Sequence, residues 1–371
     1  MDRKKERLIA LQGFRAVAFI AIFTSHAGMT HLGDWGVSCF LILSGFLMYY
    51  NYGEILDEDK VDSRFWNHIK RAFSKIRSLY PLHCVTLLIA IFVYFDLSRL
   101  DNLWHIILYN IKLVLNLALL QSWFPKSEFY WSFNAVSWYL STQFAMYLAF
   151  PYIKKAINKG KTKGIRYLGL QALLILLMQI GISAVLINQS VRLSQIPIQI
   201  SDDLTFYLTY ICPLYRVGDF YLGCIAGYFF LRSDFLRGGV KHPSWLWSLL
   251  EIAVVLLLIP LQLIHDGSMK FISDDAVRND LLYTFPVMVS VYLGALQSGF
   301  VTKSILSSKW LVELGNISGY CFLIHQLVIV VIFKICGENA GKLPCAMLSF
   351  IITIALAILW KYGERLWRKQ G

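Results

Sequence analysis

Eleven apolar runs, most of them close to 20 residues long, divide this chain, near residues 7–28, 35–52, 78–96, 104–122, 134–153, 166–187, 213–231, 245–265, 280–299, 310–335 and 343–362. A helix of about 20 residues rises about 30 Å, the thickness of the hydrocarbon layer of a bilayer. The length of 371 residues alone suggests two or three soluble domains. The runs overrule that expectation, because soluble cores of this size cannot hide so many of them. With 57% hydrophobic and only 16% charged residues, the chain reads as an all-α polytopic membrane protein, one membrane-embedded domain over residues 1–371.

The charges give the topology. Lys and Arg gather in a few short loops, as they do on cytoplasmic faces, so the formal charge of +12 does not indicate a nucleic-acid partner. From the N-terminus, MDRKKER and the stretch with Arg64, Lys70, Arg71, Lys75 and Arg77 fall inside. From the C-terminus, the tail with Arg365, Arg368 and Lys369 falls inside, as do Lys303 with Lys309, Arg232 with Arg237 and Lys241, and the cluster from Lys154 to Arg166. The Asp-containing loop 266–279 falls outside. These two walks disagree if 104–122 crosses once. About ten transmembrane helices with both termini cytoplasmic are therefore expected, 104–122 being re-entrant or interfacial. The first run carries Arg15 and His26 and has no A-x-A site, which fits an uncleaved span rather than a signal peptide. Seven cysteines without a C-x-x-C pair support neither a zinc site nor a disulfide framework; no metal is expected.

Ionisable residues inside spans are costly and face polar interiors. Arg15 and His26 lie eleven residues apart, about three helical turns, so both project from nearly one face, about 16 Å apart along the axis. Arg15 either satisfies neighbouring carbonyls or lines a polar cavity, and His26 is either interfacial or a base. His325, in GYCFLIHQ, is a second histidine in an apolar run. Arg216 and Asp219, three apart, can pair within a helix, and Gly223 with Gly227 forms a G-x-x-x-G packing motif. The basic run from Lys70 to Arg77 suits lipid headgroups, topology or a polyphosphate ligand. No P-loop, Rossmann glycine fingerprint, G-x-S-x-G elbow or H-E-x-x-H is present.

Six blocks in this order resemble the acyltransferase-3 family of integral membrane O-acyltransferases: ALQGFRAVAFIAIFTSH with Arg15 and His26; GVSCFLILSGFLM through Gly36, Phe40, Ser44, Gly45 and Phe46; KIRSLYPLH; SWYLSTQFAMYLAFP through Trp138, Leu140, Ser141 and Tyr147; YRVGDFYLG through Arg216, Asp219 and Phe220; and LGNISGYCFLIHQ ending at His325. The chain departs from the pattern where acids are common: Gln12, Ser38 and Gln143 stand there instead.

The resemblance implies transfer of an acyl group, usually acetyl, from cytoplasmic acyl-CoA (acetyl-CoA or another) to a hydroxyl of an extracytoplasmic carbohydrate or glycolipid, in the bacterial cytoplasmic membrane. It implies Arg15 and His26 as catalytic residues, His26 as base or transient acyl carrier. Arg71, Lys75 and Arg77 are implied to hold the donor phosphates, and Ser141, Trp138, Arg216 and His325 to line the substrate pocket. The alternative from another class is a transporter or flippase for a lipid-linked sugar or small solute, in which the buried Arg15, His26 and His325 serve as substrate or proton-relay groups.

Overall fold

A computed structural model describes residues 7–54, 65–94, 102–193, 204–232, 244–265, 277, 280–337 and 341–370. The described residues form helices and no strands. The long helices are α1 (Ile9–His26), α2 (Gly33–Tyr52), α3 (Phe65–Ile76), α4 (Tyr80–Val93), α5 (Leu103–Leu117), α6 (Trp138–Asn158), α7 (Ile165–Leu193), α8 (Pro213–Arg232), α9 (Ser244–His265), α10 (Leu281–Leu296), α11 (Lys309–Cys336) and α12 (Lys342–Gln370). Four of them, α1, α7, α11 and α12, are long and apolar enough to cross a membrane, and the bent pair α3–α4 makes a fifth. In α2, α6 and α8, of 20 or 21 residues, hydroxyl, amide and glycine residues dilute the apolar character, and these polar groups are bonded inside the bundle.

Contacts between helices fix their relative directions. Gly33 and Gly36 of α2 lie against Ser25 and Ile22 of α1, so those two run antiparallel. Helix α6 runs parallel to α2, since Ser44 meets Gln143 and Tyr49 meets Asn158. Helices α8 and α10 share that direction: Ser38 meets Arg216, Phe46 lies at Gly227, Thr284 meets Asp219, and Tyr292 packs on Phe230. Helix α11 follows α1 instead, with Gly315 at Gln12 and His325 at His26.

Parallel α2 and α6 require an odd number of crossings between them. Helix α5 is 15 residues long, a rise of about 22 Å, less than the hydrocarbon thickness. Its last turn is tied to the first turn of α4, where the Tyr80 hydroxyl donates to the Leu117 carbonyl (2.9 Å) and His83 Nε2 to the Asn116 carbonyl (3.0 Å). The chain then reverses at Leu119, whose φ is 56°, and a 3-10 turn, Gln121–Trp123, is pinned to α6. A re-entrant or interfacial segment, as expected for 104–122, fits this arrangement.

The sequence reading of 64–77 as a cytoplasmic loop needs correction. Residues 65–76 are helical, with Trp66, Ile69, Ala72, Phe73 and Ile76 at amphipathic spacing. Helix α3 climbs alongside α6, His68 stacking on Tyr152 and Ile76 packing on Leu140. It then breaks at residues 77–79 and turns 75° into α4, where Pro81 opens the helix. Charges that read as a loop in one dimension are one face of an amphipathic helix.

The bundle centre is the α2–α8 contact. A Cβ on Gly45 would collide with the carbonyl of Phe220, and one on Gly223 with the carbonyl of Ile42. Glycine at both places allows backbone-to-backbone approach, which is what helix association without a hydrophobic drive depends on.

Candidate functional site

Helix α1 ends at His26 because Gly28 takes a left-handed conformation, φ 69°, a common helix stop. The exposed His26 ring reaches α11, where its Nδ1 lies 2.7 Å from Nε2 of the fully buried His325. The other nitrogen of His325, Nδ1, is 2.7 Å from the carbonyl of Phe322. A carbonyl only accepts, so His325 Nδ1 carries a proton. With both rings neutral, His325 Nε2 accepts from His26 Nδ1–H, which leaves the lone pair of His26 on Nε2. The rings of Phe19, Phe23 and Phe322 surround His325 at centroid distances of 5.7–6.2 Å and fix its plane. The pair is thus a preset base, its tautomer dictated by a backbone carbonyl.

Below it lies a cavity of about 340 Å³, lined by Arg15 and Ser44 with Lys75, Tyr139, Gln143 and Tyr147. Among the described residues Arg15 makes no ion pair. Gln143, standing where an acid is common in the resembling family, donates to Ser44 (2.9 Å) and Tyr147 (2.8 Å) instead. A half-buried guanidinium without a carboxylate is costly and leaves the cavity attractive to an anion. One end of the cavity reaches Phe40, Tyr139 and Phe322, three rings in mutual contact at 5.1–6.2 Å. Phe322, one helical turn before His325 on α11, packs against the His325 ring (5.7 Å), so the aromatic layer of the cavity touches the histidine pair.

The other expected site residues divide between places. Lys75 lies in the Arg15 cavity, its ammonium 3.5 Å over the Tyr52 ring; Arg71 is exposed one turn earlier on α3. Arg77, the first residue of the helix break, lines a separate groove between α4, α11 and α12. The Ser141 hydroxyl donates to the Leu119 carbonyl and meets the Ser122 hydroxyl, both at 2.7 Å; it fastens the reversing segment to α6. Trp138 packs on Tyr210 (5.1 Å), which lies over the Arg216 guanidinium.

Arg216 is fully buried, paired with Asp219 (3.2 Å), as its spacing predicts, and also with Asp280. Ser38 donates to Asp280 (3.0 Å), and Gln179 donates to Asp219 (3.1 Å). One cation facing two carboxylates joins α2, α7, α8 and α10. Sequence reasoning missed Asp280 and Gln179. Asp280 is the residue before α10, at the edge of an Asp-containing loop, and nothing in its neighbourhood distinguishes it from solvent-facing acids. Among the described residues no His/Cys/Asp/Glu group could hold a metal.

A second cavity, of about 570 Å³, is walled by Tyr109, Trp131 and Phe133 together with the Lys112–Glu128 ion pair (2.8 Å). It reaches Ala135. The adjacent Asn134 donates to the α11 carbonyl of Leu323 (2.8 Å), two residues before His325.

Compared with known proteins, residues 8–361 match a family model described as an acyltransferase domain. A curated relative, acyltransferase MdmB of Streptomyces mycarofaciens, is 29% identical over 388 aligned positions, covering 95% of this chain and 89% of the relative. No solved structure matches.

Proposed function

The chain belongs to the acyltransferase family whose model spans nearly its whole length, and from that membership we propose that it carries acyl groups across a bacterial cytoplasmic membrane. The donor is acyl-CoA, with acetyl the simplest cargo, bound from the cytoplasm. The acceptor is a hydroxyl of a carbohydrate or glycolipid on the far side. Ten crossings with both termini cytoplasmic accommodate this, and the parallel run of α2, α6, α8 and α10 supports that count.

The observation that carries the reading is that Lys75, Arg15 and the three rings line one cavity, and that Phe322 of those rings packs against His325 of the His26–His325 pair. Lys75 and Arg71 hold the donor phosphates at the entrance, and Arg15 draws the pantetheine arm inward. The thioester passes Phe322 to reach the histidines. His26 Nε2 takes the proton of the acceptor hydroxyl as its oxygen attacks the thioester carbon. The C–S bond breaks, and the proton passes to the departing thiolate, giving CoA. The imidazolium formed in between keeps its hydrogen bond to His325, which strengthens as charge develops. Arg15 is the available cation for the oxyanion. The aromatic cavity beside Asn134 supplies the acceptor's platform.

The test is radiolabelled acyl transfer from acyl-CoA in membranes containing wild type or His26→Ala. Loss of a base typically lowers the rate by about 10²–10⁴-fold. Transfer near the wild-type rate by folded His26→Ala would refute the role. Consumption of acyl-CoA by wild type separates an enzyme from a transporter.

A further inference from the structure

We propose that the groove between α4, α11 and α12 is a binding site for one anionic glycerophospholipid, with its phosphate on Arg77. The groove encloses about 1150 Å³, the largest of the described cavities. Its chemistry is graded along its length, as an amphiphile's is. Arg77 and Ser78 share one end with Glu364, since the following Leu79 meets Gly319 and the adjacent Tyr320 bonds Glu364; most of the other lining residues are aliphatic, with Ile89 and Val328 typical of the walls. Along α11 the lining runs from Ile324 to Ile332, a rise of about 12 Å, a depth suited to acyl chains and not to a solute.

The polar end identifies the occupant. Arg77 is exposed and makes no ion pair among the described residues. Glu364, the acid at the same end, accepts a hydrogen bond from the Tyr320 hydroxyl (2.6 Å). Trp360 and Trp367 also line the groove, close in sequence to the basic stretch Arg365–Lys369, and tryptophans near such an end mark the headgroup zone. Arg365, Arg368 and Lys369 follow on α12, so this end is the basic, cytoplasmic side, where pockets between helices select anionic headgroups. A zwitterionic lipid would bring its own cation to a cation; an anionic lipid balances Arg77.

The site also adjoins the donor cavity. Ser78 lines both spaces, and residues 77–79, the break between α3 and α4, form the wall between them. A phosphate on Arg77 holds that break from the side opposite Lys75. This inference stands apart from acyl transfer: it concerns what the groove binds in the absence of any donor.

The experiment is native mass spectrometry of the purified full chain from mixed micelles containing equal amounts of dioleoyl phosphatidylglycerol and dioleoyl phosphatidylcholine, with no acyl-CoA. Wild type retains one lipid, and phosphatidylglycerol exceeds phosphatidylcholine by about fivefold or more, the contribution of one basic residue near an anionic surface. Arg77→Gln equalises the two, Arg77→Lys keeps the preference, and Val328→Trp, which fills the groove, lowers both. Equal retention by wild type, or a preference unchanged in Arg77→Gln, overturns the proposal. So does an Arg77→Gln protein whose only change is a raised KM for acyl-CoA, because that result assigns Arg77 to the donor.

Discussion

Replacing His325 with phenylalanine separates a positioning histidine from a packing one. The ring that His325 presents to Phe19, Phe23 and Phe322 is close in size to phenyl, so the substituted ring keeps the aromatic box filled. What disappears is the acceptor for His26 Nδ1–H, 2.7 Å away, together with the anchor of Nδ1 on the Phe322 carbonyl. A hydrogen bond to a charged partner contributes about 1.5–3 kcal/mol, and this one gains its charge only when His26 takes up the proton. At 1.36 kcal/mol per tenfold, the loss lowers kcat by about 10- to 150-fold. The KM for acyl-CoA stays within about twofold, because donor contacts lie on the other side of the Phe40–Tyr139–Phe322 layer. The assay is CoA-thiol release at saturating donor, run beside a thermal melt to confirm folding. A folded His325→Phe protein that keeps wild-type kcat, or one changed only in KM, refutes the tautomer argument.

Three further outcomes follow from the packing. Arg216→Met leaves Asp219 and Asp280 buried without their cation and destabilises by about 3–5 kcal/mol, read as a lowered melting temperature in detergent; an unchanged melt means that the cluster is not structural. Gly223→Val drives methyl groups into the Ile42 carbonyl and costs about 1–3 kcal/mol or more, whereas Gly169→Ala, with open space around it, leaves the melt within about 0.5 kcal/mol of wild type. Ser141→Ala deprives the Leu119 carbonyl and the Ser122 hydroxyl of a partner, lowering stability by about 1–3 kcal/mol; a fall in kcat at unchanged stability would return Ser141 to the oxyanion.

Local spacing made part of this site legible. Arg15 and His26 share a face of α1 because eleven residues are three turns, and Arg216 pairs with Asp219 because three residues are nearly one. Gly223 and Gly227 announced a close helix contact, and the charge walk singled out the segment that contains the short α5. Other features depend on which helices become neighbours. His325 looked like an outer-pocket residue; that it orients His26 through a carbonyl one turn away follows only from α1 lying parallel to α11. Arg77 and Lys75 looked like one basic patch, and a 75° break sends them into different spaces. The missing acids at Gln12, Ser38 and Gln143 acquire a meaning in three dimensions: Arg15 stays uncompensated, and Ser38 serves Asp280 instead.

The account rests most on the Arg15–Lys75 cavity being the donor site. Calorimetric titration of the detergent-purified protein with acetyl-CoA tests this without knowledge of the acceptor. It predicts micromolar binding that Lys75→Gln weakens by about tenfold, the order of one charge-assisted phosphate contact, and that Arg15→Gln, in the path of the pantetheine arm, weakens as well. Absence of binding by well-folded protein, or equal affinity in all three proteins, would contradict it.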